Sequence, residues 1–342
     1  LYKSIIKSDC RLLFLTGSPI VNDPFEIAVC FNMLSGRELF PEQYIQFNNY
    51  FLRTDGEKKV IKNMNKFINR ISGMVSYFDG GGLINSEMPI EHPVKVLEVK
   101  MSNYQYGLYF QARKVEIEAQ LRKKKVKEQA LLKSKPANVS YRVMSRQICN
   151  FAYPENAMDK KMNDRGDTIQ TGIFEKLEDT DFLNNIELYS PKINLLVKTA
   201  EEHPGIALIY SQFLNYGINL IVKLLEQKGY KDKYKLITGE INKDEVAKSI
   251  KIINSPENKN ADIIKFVIIS STGAEGIDFK NIRSIHILEP YWHMSRILQI
   301  IGRGVRFRSH EDLEESERTV QPYVYLSVHG IEGNYEMTTD QY

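Results

Sequence analysis

The chain has 342 residues, 42% apolar and 26% charged, which excludes a disordered, collagen-like or low-complexity polypeptide and, at about 100–200 residues per domain, gives two or three domains. Lys and Arg number 46 against 43 Asp and Glu, a net charge of +3, so a nucleic-acid partner must be read from where charge sits and not from its total. The three cysteines, Cys10, Cys30 and Cys149, lack CxxC or Cys/His spacing, which excludes a disulfide scaffold and a zinc module, and no apolar run of 18 residues is present.

Residues 12–15 (LLFL) form a short apolar run followed at once by Thr16-Gly17-Ser18-Pro19, the pattern of a buried strand ending in a polar loop. Segments 25–36, 41–52 and 57–73 carry apolar residues three and four apart, which predicts amphipathic helices. Alternation over 94–101 predicts a strand. Helical period from Asn103 to about Ser134, anchored by Tyr106, Tyr109, Phe110, Val115 and Leu121, predicts one long helix. Between about Tyr153 and Glu187 the sequence is polar and irregular, marking a surface connection or domain boundary. From Ser190 the elements alternate: helix 191–202, strand 205–211, helix 214–228, strand 233–238, helix 243–254, strand 263–269, strand 284–288, helix 293–303 and strand 321–328. Apolar strands alternating with helices specify a parallel sheet covered on both faces.

Four segments carry chemistry. In QIIGRGVR, Gln299, Arg303 and Arg306 stand four and three residues apart, so on a helix they project from one face, and Gly302 lets that face approach another surface. Two guanidiniums on one face call for an anion opposite, and ligands of parallel sheets bind outside the carboxyl ends of the strands. In STGAEGID, after strand 263–269, Thr272, Gly273, Gly276 and Asp278 make a loop able to bring backbone N–H groups and a carboxylate near a sugar or phosphate. YSQF, with Ser211 and Gln212, ends strand 205–211 in the same kind of position, and TGSP by itself is a turn. Each alone has a plainer reading, as a solvated basic helix, a Gly-rich turn or an ordinary strand end.

Together and in this order, TGSP, YSQF, STGAEGID and QIIGRGVR resemble the third to sixth motifs of helicase superfamily 2, nearest its Swi/Snf-type branch. The segments VSYF (75–78), the Gln- and Tyr-rich helix start at 103–111 and SRQICNFAYP are similar to the viral subgroup typified by poxvirus nucleoside triphosphate phosphohydrolase I and the early transcription factor small subunit. The sequence departs from the remodelers in Phe307-Arg308-Ser309-His310 where they carry Ile-Gly-Gln, and in Asp278 where Asn is usual, which disfavours a chromatin remodeler. A GxxxxGK[ST] phosphate loop and the acidic motif of the first lobe are missing, and in this family both lie upstream of TGSP. The chain, opening on Leu1 and closing on TTDQY, is therefore expected to be a piece of a longer protein.

The resemblance implies an α/β fold: a RecA-like parallel sheet covered by helices in residues 188–342, the second lobe, preceded by a helical linker region at 73–187 and a first-lobe stub at 1–72. It implies a nucleic-acid-dependent ATPase whose ATP and Mg²⁺ are held mainly by the missing lobe, so the fragment alone is expected to be inactive. Arg303 and Arg306 are then arginine fingers on the γ-phosphoryl group, and Gln299 orients an arginine or the attacking water. Gly276, Asp278 and Gly302 approach the nucleotide, while Thr16, Gly17, Ser18, Ser211, Gln212, Thr272 and Gly273 couple it to nucleic acid. No metal ligand is expected in this chain. Residues 113–135 hold nine Lys or Arg against three Glu, a candidate phosphate grip and equally the solvated face of a long helix. The implied partners are double-stranded DNA and subunits of an RNA polymerase or transcription factor, with no membrane, in the virion and host cytoplasm. The alternatives are a non-catalytic docking platform in a transcription complex and an RNA helicase of the same superfamily.

Overall fold

Seven parallel strands form the sheet on which the later part of the chain is built. In the computed structural model the described residues are 11–16, 19–20, 23–55, 58–77, 87–129, 142–162, 168–271, 276–291, 294–329 and 337–341. They divide into two compact units, Leu1–Asn85 with His293–Arg296, and Ser86–Trp292 with Ile297–Tyr342.

In the first unit, helices α1 (Phe25–Ser35), α2 (Tyr44–Phe51) and α3 (Met64–Ile71) surround a phenylalanine core of Phe40, Phe47, Phe51 and Phe67. Buried Asn32 ties the connection to this core: its Nδ2 donates to Phe40 O at 2.8 Å, and its Oδ1 accepts from the backbone N of Leu39 and Phe40 at 2.9 Å. Segment 57–73 is not one helix. Residues β1 (Leu52–Asp55) and β2 (Lys58–Ile61) pair antiparallel, and the helix starts only at Met64. So short an apolar run fits either period. Residues 12–15 lie in no strand, with Leu13 78% and Leu15 87% exposed. A buried parallel strand needs neighbours on both sides, and among the described residues nothing pairs with this one.

In the second unit the strands are β3 (Ile90–Glu91), β4 (Lys95–Lys100), β7 (Ile206–Tyr210), β8 (Tyr234–Ile237), β9 (Phe266–Ile269), β10 (Ile282–Ile287) and β11 (Thr319–Val328). Their order is β3-β11-β10-β7-β9-β8, with β4 also on β11. Strands β3 and β4 lie along successive stretches of β11, interrupted around Pro93, so residues 90–100 belong to this sheet. The helices are α4 (Asn103–Gln129), α5 (Val143–Asn150), α6 (Ile186–Tyr189), α7 (Pro191–Glu202), α8 (Asn219–Gln227), α9 (Lys243–Ile253) and α10 (Met294–Gly304). Strand side chains alternate between faces. Ala207 and Ile209 pack with Leu196, Val197, Leu220 and Leu224 of α7 and α8, whereas Ile206 and Leu208 join Ile253, Ile297, Ile300 and Ile301 of α9 and α10. Both faces are covered, which is why β7 and β9 read as continuous apolar runs. Each such buried Ile or Leu contributes about 1.5–3 kcal/mol.

The polar stretch after Tyr153 contains an antiparallel hairpin, β5 (Met158–Met162) with β6 (Thr168–Gly172), so it is structured and not a bare connection. Gly172 is required there: a Cβ would stand 2.2 Å from the Tyr153 ring. The long helix is present, and of its basic residues Arg113 and Lys114 have described side chains; those of Arg122, Lys123, Lys124, Lys125 and Lys127, and all of Lys133 and Lys135, lie outside the described residues. Among the described residues no helix is long and apolar enough to cross a membrane.

Candidate functional site

Strand β10 runs from Ile282 to Ile287, and the chemistry-bearing residues gather at its two ends. At the carboxyl end, β7 and β10 each finish in a short loop. Glu289, two residues past β10, is 1% exposed. Its Oε1 accepts from Ser211 Oγ and from Asn150 Nδ2, each at 2.5 Å, and its Oε2 accepts from Gln212 N at 3.0 Å. Burial pushes the Glu289 carboxyl above its ordinary value, against the pull of these donors. The cluster is closed from several sides. Ser190 Oγ donates to Asn150 O, a short turn at Leu214–Ile218 brings Gly217 over Ser211, and a Cβ on that glycine would stand 2.2 Å from Ser211 Oγ. Arg146 of α5 donates to Pro290 O at 3.4 Å and lies 5.5 Å from the Phe213 ring and 5.9 Å from the Tyr291 ring.

The arginine motif is at the other end. The far end of α10 lies at the amino edge, where Phe279 N donates to Arg303 O at 3.2 Å and Asn281 N to Ser309 O at 2.9 Å, both just before β10 begins. Gly304 makes that approach possible, since a Cβ would sit 3.0 Å from Ile282 Cγ2. Around Gly302, by contrast, a Cβ would meet nothing within 4 Å. The carboxyl-end rule for parallel sheets thus does not locate these arginines: an α-helix rises about 1.5 Å per residue, so eleven residues carry the chain back along the strand.

The helix ends at Gly304, and Arg306 lies in the turn beyond it, so Gln299, Arg303 and Arg306 are not three positions of one helix face. Two glycines in three residues and Arg308 at φ +57 end it there. Arg303 Nη1 donates to Ile277 O at 3.4 Å, and Arg306 Nη2 pairs with Asp278 Oδ1 at 3.0 Å. Asp278 O in turn accepts from Asn254 Nδ2 at 3.1 Å. The structure therefore brings together Arg303, Arg306, Asp278 and the end of the STGAEGID loop, where Gly276 uses its freedom at φ +76. Gln299 is exposed on α10, one turn before Arg303. Thr16 is exposed at the end of segment 11–16. Gly17, Ser18, Thr272 and Gly273 lie outside the described residues, as does Phe78 of VSYF.

The turn after the arginines is braced from inside. His310 Nε2 contacts Ile282 O at 2.7 Å and its Nδ1 contacts Ser309 Oγ at 2.8 Å. A carbonyl can only accept, so Nε2 carries a proton. Burial lowers its pKa to about 4. Arg308 holds Glu87 by both backbone and side chain, with Nη2 donating to Oε1 and N to Glu87 O, each at 3.0 Å.

Glu289, Asn150 and Arg146 escape a motif-based reading. The one available signal for Glu289 is an acid placed directly after the buried strand IHIL, and Asn150 and Arg146 lie within SRQICNFAYP, which draws notice only as a resemblance. Among the described residues no group of three His, Cys, Asp or Glu is placed to hold a metal ion.

Residues 191–308 match the helicase conserved C-terminal domain. The chain is 33% identical to a termination factor NPH-I homolog of African swine fever virus, an alignment covering 96% of this chain and 52% of that protein. It is 30% identical to a protein of Acanthamoeba polyphaga mimivirus named as an ATP-dependent RNA helicase, over 96% of this chain and 56% of that one. The chain thus spans about half the length of the curated relatives it matches. A crystal structure of the C-terminal part of the Fun30 ATPase domain is similar over 74% of this chain and 95% of its own, at 14% identity and a TM-score of 0.45.

Proposed function

We propose that this chain, whose residues 191–308 match the helicase conserved C-terminal domain and which is similar to viral proteins named as a termination factor NPH-I homolog and an ATP-dependent RNA helicase, is the C-terminal part of a nucleic-acid-dependent ATPase that moves along double-stranded DNA during viral transcription. Residues 188–342, with the strands lent by 90–100, act as the second lobe of that motor. The observation that carries this reading is the separation of two polar groups by the length of β10: guanidiniums beside Asp278 at one end, the buried Glu289 cluster at the other. A motor needs two such places, one meeting the nucleotide and one meeting the track.

ATP with Mg²⁺ supplies the phosphoryl group whose transfer to water drives the cycle. The residues present fit its anionic end, since two guanidiniums converge where one carboxylate and one carbonyl receive them. Arg303 and Arg306 stabilise negative charge on the phosphoryl oxygens, and such fingers contribute about 10³–10⁵ in kcat. The Arg306–Asp278 pair does not oppose this. Its side chains are 45% and 64% exposed, and exposed pairs contribute about 0–1 kcal/mol, so a phosphate displaces Asp278 readily. Gln299 orients the water or the neighbouring guanidinium. The phosphate loop and the Mg²⁺ ligands come from residues beyond these 342.

At the carboxyl end, the Ser211–Phe213 loop meets the nucleic acid, with the basic helix α4 as a second grip on phosphates. Hydrolysis by the full-length parent, measured with duplex DNA, single-stranded DNA and RNA in turn, tests this reading; stimulation by duplex DNA above the other two is expected. Stimulation by RNA alone selects the second reading, an RNA helicase, to which the name of the mimivirus relative points.

A further inference from the structure

Four basic side chains gather where α7 runs into β7. His203 follows α7 directly, Lys265 precedes β9, Arg283 is the second residue of β10, and Lys95 opens β4. Gly205, just before β7, holds two of them. Lys265 Nζ donates to Gly205 O at 2.8 Å and also to His203 O. The stem of Arg283 fills the space where Gly205 has no side chain, since a Cβ there would stand 2.3 Å from Arg283 Cγ. The Tyr323 ring gathers the other two, with Lys95 Nζ 5.7 Å and the His203 ring 6.2 Å from its centroid.

The charge at this place is poorly matched. Among the described residues Arg283 alone of the four meets an acid, Glu317, whose Oε1 lies 3.5 Å from Nη1 and whose side chain is 46% exposed. The charges of Lys95, Lys265 and Arg283 thus face one carboxylate, although the Arg283 side chain is only 11% exposed. Burial, and then the charges of Lys265, Arg283 and Lys95, lower the His203 pKa from its ordinary value, against the bond to Pro204 O. Donors are also left over. Arg283 Nε is buried with no hydrogen-bond partner among the described residues. Pro204 O accepts from His203 Nδ1 at 3.1 Å, which leaves Nε2 to donate once the ring is protonated.

We propose that Lys95, His203, Lys265 and Arg283 form a binding site for a phosphate dianion, carried as free phosphate or as the terminal phosphate of a nucleotide. Like charges drawn together in a half-buried place repel one another unless an anion comes between them. Their excess over Glu317 matches a dianion, and not the single charge of an internal nucleic-acid phosphodiester. A guanidinium fork beside an ammonium and an imidazole supplies the short charge-assisted bonds that a tetrahedral oxyanion takes. The buried Nε admits a narrow group, which the surface of a duplex is not. Among the described residues none of the four bonds to Arg303, Arg306 or Asp278, so the site is separate from the helicase-motif arginines and the proposal does not rest on the functional reading above.

The imidazole of His203 reports occupancy. In the full-length parent with isotope-labelled histidine rings, the resonance that disappears in His203→Gln should shift and saturate as inorganic phosphate is added at constant ionic strength, and the pKa of that ring should rise. A nucleoside monophosphate that competes with phosphate assigns the site to terminal phosphates of nucleotides, and one that does not assigns it to free phosphate. Arg283→Met keeps the stem over Gly205 and should weaken phosphate about ten-fold, the share of one charge-assisted hydrogen bond. Lys95→Met changes an exposed side chain, leaves the core intact and should weaken it about three-fold, so it carries the test if Arg283→Met does not fold. Arg303→Ala should leave the affinity unchanged. Unchanged affinity in both methionine variants, an equal shift with chloride, displacement of phosphate by a duplex without terminal phosphates, or loss of the response in Arg303→Ala overturns the proposal. None of these outcomes depends on ATP turnover, whose own failure would overturn the functional reading alone.

Discussion

The two ends of β10 are built on opposite principles. At the carboxyl end a carboxyl group is enclosed completely, its donors drawn from the β7 loop and α5, and burial pushes it toward its neutral form. At the amino end Arg306 and Asp278 remain about half exposed, in a pair that solvent screens. Polar groups held in a dry cluster cannot exchange partners without cost, whereas an exposed guanidinium can trade a carboxylate for a phosphate. In the proposed reading, the open end does the chemistry and the buried end meets the track.

The largest effect expected from breaking this contrast is at the open end. Arg303→Ala or Arg306→Ala should lower turnover of the full-length parent by about 10³–10⁵, roughly 4–7 kcal/mol of transition-state stabilisation, with nucleotide affinity little changed. Steady-state hydrolysis alongside equilibrium nucleotide binding checks this, and equal loss of both would point to a collapsed fold.

The next effect lies beneath the buried end. Lys192 Nζ and Asp340 Oδ2 are 2.6 Å apart with side chains 1% exposed, and Ser327 N donates to the same oxygen at 2.9 Å. Removing one partner strands a buried charge, so Lys192→Met should cost about 3–5 kcal/mol in urea unfolding, more than any exposed pair. The double change to Met and Leu should recover most of it.

Acid tests the brace behind the arginines. His310 is held at about 4 when folded against 6.5 unfolded, so between those values the unfolded chain binds the extra proton. The stability is fully present above pH 6.5 and is lost as pH falls through about 4, at most about 3 kcal/mol. Unfolding followed from pH 7 to 4 should show this loss, and His310→Gln should flatten it.

The smallest effect separates two glycines of one motif. Gly304→Ala forces a Cβ onto Ile282 and should cost about 1–3 kcal/mol, whereas Gly302→Ala meets open space and should gain up to about 1 kcal/mol of helix propensity. Thermal melts of the two variants settle which glycine the packing requires.

How much of this was legible beforehand differs between the two ends. The parallel sheet could be read from GIALIY, KFVII and SIHIL because strands covered on both faces leave unbroken apolar runs. The spacing put Arg303 and Arg306 on one helix face, whereas the helix stops at Gly304, and it could not show that they return to the amino edge, since the path of a helix after its strand is a property of topology and not of any local pattern. Segment 57–73 misled because KKVI is too short to fix a period, and residues 12–15 because an apolar run does not state what lies beside it. Glu289 left almost no trace, as one acid after a strand has no periodicity to betray its burial. The Gly304 contact was equally hidden, since the sequence places Gly302 and Gly304 in equivalent company.

The most direct test of the division between the ends is one titration of ATP turnover against duplex DNA in the full-length parent, comparing Arg306→Ala with Gln212→Ala. The arginine variant should lose maximal turnover at an unchanged half-activating DNA concentration, and the glutamine variant should raise that concentration while keeping most of the maximum. Loss of both quantities together in both variants would contradict a molecule whose open end does chemistry and whose buried end feels the track.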